Sequence, residues 1–87
     1  MIVDARGDRC PMPIIRLARA AAGANPGTAV TVLWTDAAAR HDIAAWARMR
    51  GHRVVGEEVA EPADGHQAWA TTVLLGGAGT TTAATLR

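Results

Sequence analysis

The chain has 87 residues, room for one small domain. A formal net charge of +1 is too small for a protein that grips nucleic acid through its phosphates, and no apolar run reaches the roughly 18 residues of a membrane span. One cysteine excludes an internal disulfide, and three Trp with no Phe or Tyr leave alanine and the branched aliphatics to fill the core.

The opening stretch MIVDARGDRC places Asp4 and Asp8 early and has no apolar segment, so no secretory signal is expected. With no disulfide to form, the expected location is the cytoplasm. Ile2-Val3, bounded by Gly7, reads as a short strand. From Pro11 the pattern turns helical: Ile14, Leu17, Ala18 and Ala21 share a face, and Arg16, Arg19 and Gly23 lie opposite. Gly23 and Asn25-Pro26-Gly27 end this helix. Residues 28–35, TAVTVLWT, are rich in β-branched types and predict a second strand. Asp36 suits an N-cap, and residues 37–50 predict a second helix with Ala39, Ile43, Trp46 and Ala47 inward and Arg40, His41 and Arg48 outward. Gly51 stands at a C′ position, with Arg48 and Arg50 in the last turn. Residues 52–60 and 66–75 predict two further strands around a turn at residues 61–65. Residues 76–87, GGAGTTTAATLR, lack periodicity and are expected to form a mobile tail after a domain at residues 1–75.

The order β-α-β-α-β-β, with only two short helices, predicts a two-layer α/β sandwich. One sheet face then stays open to water, where Thr31, Thr35, Thr71 and Thr72 are expected.

The chemistry concentrates at Arg9-Cys10-Pro11-Met12-Pro13. Proline is favoured at the first helical position. Two registers are open. In one, Pro11 starts the helix and Cys10 caps it; in the other, Met12 caps a helix that begins at Pro13, with Cys10 in the loop. Either puts Cys10 at the edge of a helix start, exposed enough to react; in the Pro11 register the N–H groups of Met12 and Ile14 are left to meet an anion. A thiolate is stabilised there, so the expected pKa falls below ~8.5, with Arg6 and Arg9 adding to the effect. A lone thiol cannot run a dithiol cycle, and His41, His52 and His66 are all remote in sequence. It can carry a sulfane sulfur as a persulfide and pass it on. Three scattered histidines and one cysteine give no metal-ligand spacing. Gly76-Gly77-x-Gly79 has no helix after it to make a nucleotide loop.

Asp4-Ala5-Arg6-Gly7-Asp8-Arg9-Cys10-Pro11-Met12-Pro13 resembles the D-x-R-G-x-x-C-P-x-P signature of the TusA/SirA-like sulfur carriers. Asp36, Asp42-Ile43, Trp46 and Gly51-His52 resemble that family's second block, although Ala37 and Ala45 stand where the family often has proline. The resemblance implies a mixed four-stranded sheet, order 1-2-4-3, with strand four antiparallel to the rest and both helices on one face. It also implies that Cys10 takes persulfide sulfur from a donor such as a cysteine desulfurase or a rhodanese. An acceptor protein then receives it, in tRNA thiolation, molybdenum-cofactor synthesis or sulfur oxidation. Such a chain is a sulfurtransferase-type relay rather than a turnover enzyme on its own, and it needs no cofactor. Pro11, Pro13, Asp4, Arg6 and Gly7 shape the site in this reading, through an Asp4–Arg6 pair and a positive φ at Gly7. Arg9, Arg16 and Arg19 are candidate contacts for an acidic partner. Two other readings compete: a regulatory module that binds partners with its open sheet face, and an RNA binder by fold analogy with a translation initiation factor domain, which the low charge opposes.

Overall fold

A computed structural model describes residues 1–76. The elements follow in the order β1 (Ile2–Ala5), α1 (Met12–Ala22), β2 (Ala29–Trp34), α2 (Ala38–Met49), β3 (Arg53–Ala63) and β4 (His66–Leu74). The sheet order is β1-β2-β4-β3; β1 pairs parallel to β2, and β4 runs antiparallel to both β2 and β3. Except for Gly76, the expected tail lies outside the described residues.

Strand alternation decides which side chains meet the helices. On β2, Val30, Val32 and Trp34 are buried, while Ala29, Thr31 and Leu33 face the other way. Leu17 of α1 and Ile43 of α2 close on the buried row, so both helices cover one face of the sheet. Each of these two side chains contributes roughly 1.5–3 kcal/mol by leaving water. Their spacing is the reason the two segments are helices: Pro13 and Leu17 lie four apart, and Ala39, Ile43 and Ala47 repeat every fourth residue.

Two expectations are corrected. The turn placed at residues 61–65 shrinks to Asp64-Gly65, because β3 runs on through Glu61-Pro62-Ala63. The sheet accommodates Pro62 because β3 is an edge strand and its register slips between Ala60 and Ala63. Asp64 (φ 50°) and Gly65 (φ 76°) are both left-handed, as in the two-residue hairpin turns that match strand twist. The second correction concerns Thr71. It pairs with Val32, points toward the helices and is 3% exposed. Its hydroxyl oxygen accepts the Trp34 indole N–H at 2.8 Å, which satisfies the one polar atom of a buried ring. Thr31 and Thr72 do face the open side, where their hydroxyls bond each other at 2.9 Å.

Arg40 is exposed as expected, yet it also serves the core. Its guanidinium carbon lies 5.1 Å from the Trp34 ring and 5.2 Å from Trp69, and its Nε donates to Glu57 at 3.1 Å. The cation lids the stacked Trp34–Trp69 pair, whose ring centroids are 6.2 Å apart.

Candidate functional site

Cys10 lies on the loop that leaves β1, against the loop that leaves β2. Because these strands are parallel neighbours, both loops emerge at the same sheet edge, where open α/β sheets form their crevices. Two hydrogen bonds stitch the loops together. The Gly7 N–H donates to Thr35 Oγ1 at 2.9 Å, and the Cys10 N–H donates to Asp36 Oδ2 at 3.1 Å. Asp36 Oδ1 also accepts the Ala38 N–H at 3.0 Å, so one carboxylate ties the start of α2 to the backbone of Cys10. These N–H groups, that of Cys10 first, hold the Asp36 carboxyl below the usual carboxylate range, and the charge of Arg9 adds to the effect.

The approach to Cys10 is rigid for separate reasons. Arg6 donates to Asp4 through Nε (2.9 Å) and Nη2 (2.8 Å), a two-pronged pair that lowers the Asp4 pKa to about 2 and raises that of Arg6. Arg6 Nη1 reaches the Glu61 carbonyl at 3.1 Å, fastening the loop to the β3–β4 hairpin. Gly7 has φ 86°, a conformation that favours glycine. Asp8 pairs with Arg16 of α1.

Neither expected helix register is the observed one. α1 begins at Met12, Pro11 is its cap, and Pro13 occupies the second turn position, buried. Cys10 precedes Pro11 through a cis peptide bond, in a turn closed by the Met12 N–H on the Arg9 carbonyl at 2.9 Å. The Ile14 and Ile15 N–H groups both donate to the Pro11 carbonyl at 3.1 Å. The donors of Met12 and Ile14 are therefore already engaged, and no helix-end N–H is left to meet the sulfur.

This overturns the expected low thiol pKa. Cys10 is half-buried against the core. Burial pushes its thiol up to about 12, joined by a hydrogen-bonding interaction with the Asp42 carboxylate and by the negative charges of Asp42 and Asp36. The thiol rests protonated between two acids. Arg6, expected to favour the thiolate, is instead committed to Asp4 and Glu61. Asp36, expected as a cap, and Asp42, expected as part of the family's second block, both act on Cys10, a role their sequence positions alone do not show. The available signal was the parallel pairing of the first two strands, which brings the loop after each to the same edge.

Of the three candidate partner arginines, Arg9 is exposed beside the site, Arg16 is paired with Asp8, and Arg19 lies in the last turn of α1, about 4.5 Å beyond Arg16 along the helix axis. His52 lies at the far end of α2 and serves structure there. Among the described residues, no cluster of three or more His, Cys, Asp or Glu side chains is placed to hold a metal ion, and no helix is long and apolar enough to cross a membrane.

Known proteins are similar to this chain in sequence and fold. A SirA-like protein from Desulfitobacterium hafniense has a solved structure that superposes with a TM-score of 0.61 at 32% identity, covering 84% of this chain and 96% of its own. Bacillus subtilis YrkI, provisionally named a sulfur carrier protein, is 39% identical over 51 residues, 59% of this chain and 68% of that protein. A similarly named protein of Archaeoglobus fulgidus is 34% identical over 55 residues, 63% of this chain and 75% of its own length. The family model described as sulfurtransferase TusA matches residues 1–69, a span that includes both loops, both helices and most of the sheet, and the chain belongs to that family.

Proposed function

We propose that this chain is a cytoplasmic sulfur carrier that holds sulfane sulfur as a persulfide on Cys10. The observation that carries the reading is that the chain's only thiol stands, partly exposed, in the D-x-R-G-x-x-C-P-x-P stretch, on a loop anchored at both flanks. The provisional sulfur-carrier names of its relatives support it. A lone cysteine must be a free thiol before it can be loaded, and free thiols are kept reduced in the cytoplasm.

In the loading step, Cys10 Sγ attacks the terminal sulfur of a donor persulfide. A new S–S bond forms at Cys10 as the donor's S–S bond breaks, and the donor cysteine leaves as a thiolate. The Cys10 proton goes to the departing donor sulfur, directly or through water. No net oxidation occurs. In unloading, an acceptor nucleophile takes the terminal sulfur and returns the Cys10 thiolate. Because the free thiol is held protonated, the donor's own surface must supply activation. A cation brought against Asp36 and Asp42 removes the charge repulsion that disfavours the thiolate. The donor of this reading is a cysteine desulfurase or rhodanese, and the acceptor is a protein that consumes the sulfur.

Intact mass after incubation with cysteine and a desulfurase, or with thiosulfate and a rhodanese, tests the reading. The expected result is a gain of one sulfur atom, reversed by reductant, mapped to Cys10 and absent in Cys10→Ser. No gain from any of these donors overturns it.

A further inference from the structure

The end of the molecule opposite Cys10 has its own organisation. α2 runs back along the sheet for about 18 Å from the Asp36 loop, so its last turn, and the pairing of Arg53 at the start of β3 with Leu74 at the end of β4, lie far from the thiol. Between them is a cavity of about 610 Å³ floored by Ala44, Ala47, Val54, Leu74 and Leu75, with Arg48 and Arg53 at its rim. That volume is within the ordinary range of ligand sites. Val54 on its floor is 39% exposed, and Met49, next to Arg48 in the chain, is 82% exposed.

The charge here is one-signed. Residues 43–56 contain Arg48, Arg50 and Arg53 and no Asp or Glu. The ion pairs among the described residues are Arg6–Asp4, Arg16–Asp8 and Arg40–Glu57, none of them at this end. The walls are pre-formed. Gly51 (φ 77°) lets the His52 N–H reach the Ala47 carbonyl at 2.7 Å, a glycine-terminated helix stop, and the Gly76 N–H donates to His52 Nδ1 at 2.9 Å.

We propose that this end is a docking surface for an acidic peptide segment of a partner protein, its carboxylates on Arg48 and Arg53 and a bulky apolar side chain in the cavity. The pattern is that of an interface anchor: an apolar pocket with arginines beside it. Nucleic acid fits less well, because the floor is aliphatic with no ring for a base to stack on. A membrane surface fits less well, because it calls for clusters of about 4–8 basic residues and here there are three. A partner held here leaves Cys10 free, so docking and sulfur loading are separable.

The test uses the full ¹⁵N-labelled chain titrated with the synthetic peptide EDEFLDE, with EDESSDE and KRKFLRK as controls. The expected result is amide shifts confined to residues 44–55 and 74–76 with EDEFLDE. Affinity falls roughly tenfold for EDESSDE and for the Arg48→Glu/Arg53→Glu variant, with no measurable binding of KRKFLRK. Met49→Ser, at a fully surface position, gives a smaller loss and guards against a folding defect in the double variant. The Cys10 alkylation rate stays unchanged in both. Equal binding of EDEFLDE and EDESSDE overturns the proposal, as do shifts spread over the molecule. Tighter occupancy of the patch by single-stranded RNA, by phosphatidylserine-containing vesicles or by a second copy of the chain also overturns it. Binding only after removal of residues 77–87 assigns the cavity to the chain's own end and overturns it as well.

Discussion

The two ends of this sandwich are secured by opposite means. At the Cys10 end, carboxylates reach across loops to backbone N–H groups and to arginines: Asp36 on Cys10 and Ala38, Asp4 on Arg6, Asp8 on Arg16. At the Gly51 end, glycine, backbone carbonyls and one neutral ring do the same work, and among the described residues no carboxylate takes part. The difference has a chemical consequence. Where acids hold the loops, stability and thiol reactivity share the same charges. Where glycine and backbone hold them, stability is independent of the thiol and the arginines stay available.

The largest expected effect that separates the ends is Gly76→Ala. A Cβ there would come within 2.0 Å of the Gly51 carbonyl oxygen, a backbone atom that cannot step aside. The end of β4 must then shift from α2, at a cost of about 1–3 kcal/mol by analogy with overpacking. Urea unfolding should report the loss, and the pH dependence of Cys10 alkylation should not move. A displaced thiol titration would show that the ends are coupled.

Asp36→Ala should act on both properties at once. It removes the acceptor of two N–H groups and should cost about 1–2 kcal/mol, the scale of a lost cap. It also removes a negative charge facing the thiol, so alkylation should titrate below the wild-type value of about 12. Asp42→Asn should lower the thiol pKa while leaving the Asp36 bonds in place. Stability that falls in Asp36→Ala with no change in thiol titration would break the link between the two.

The elements were legible because their signals are local. Leu17 and Ile43 mark helix faces, Val30 and Val32 mark an alternating strand, and Gly51 marks a stop. The sheet order came through the resemblance, since pairing depends on contacts far apart in sequence. The reach of β3 past Pro62 was not legible from composition, because an edge strand and a loop tolerate proline equally well; the better signal was the Asp64-Gly65 dipeptide. The site was half legible. Cys10 and the Asp4–Arg6 pair stand within one short stretch. The acids that set the thiol's state arrive from Asp36 and Asp42, and the helix donors expected to favour a thiolate are consumed by the turn at Arg9–Met12. A helix-end argument made from sequence alone counts donors without knowing which are already taken.

The smallest effect belongs to His52, and it tests the Gly51 end by pH. Its Nδ1 accepts the Gly76 N–H, so a proton there would replace an acceptor with a second donor, and its ring lies 4.8 Å from that of Trp46. Burial, with the charge of Arg50 adding, lowers its pKa from the ordinary 6.5. The sign follows from linkage. The unfolded chain takes up this proton near 6.5 and the folded chain only at lower pH, so the unfolded state binds more protons in between. The His52 contribution is therefore fully present above 6.5 and is lost as pH falls through the folded value. The depressed carboxyls Asp4 and Asp36 have an ordinary value of 3.8 and lose their contributions in a separate, more acidic window. His52→Asn keeps an acceptor that does not titrate. Between pH 7.5 and 5.5, about one unit either side of the histidine range, wild type should lose more stability in urea than this variant does. Equal losses would mean that protonation of His52 leaves the bond to Gly76 intact, and that the far end is held by its glycines and backbone alone.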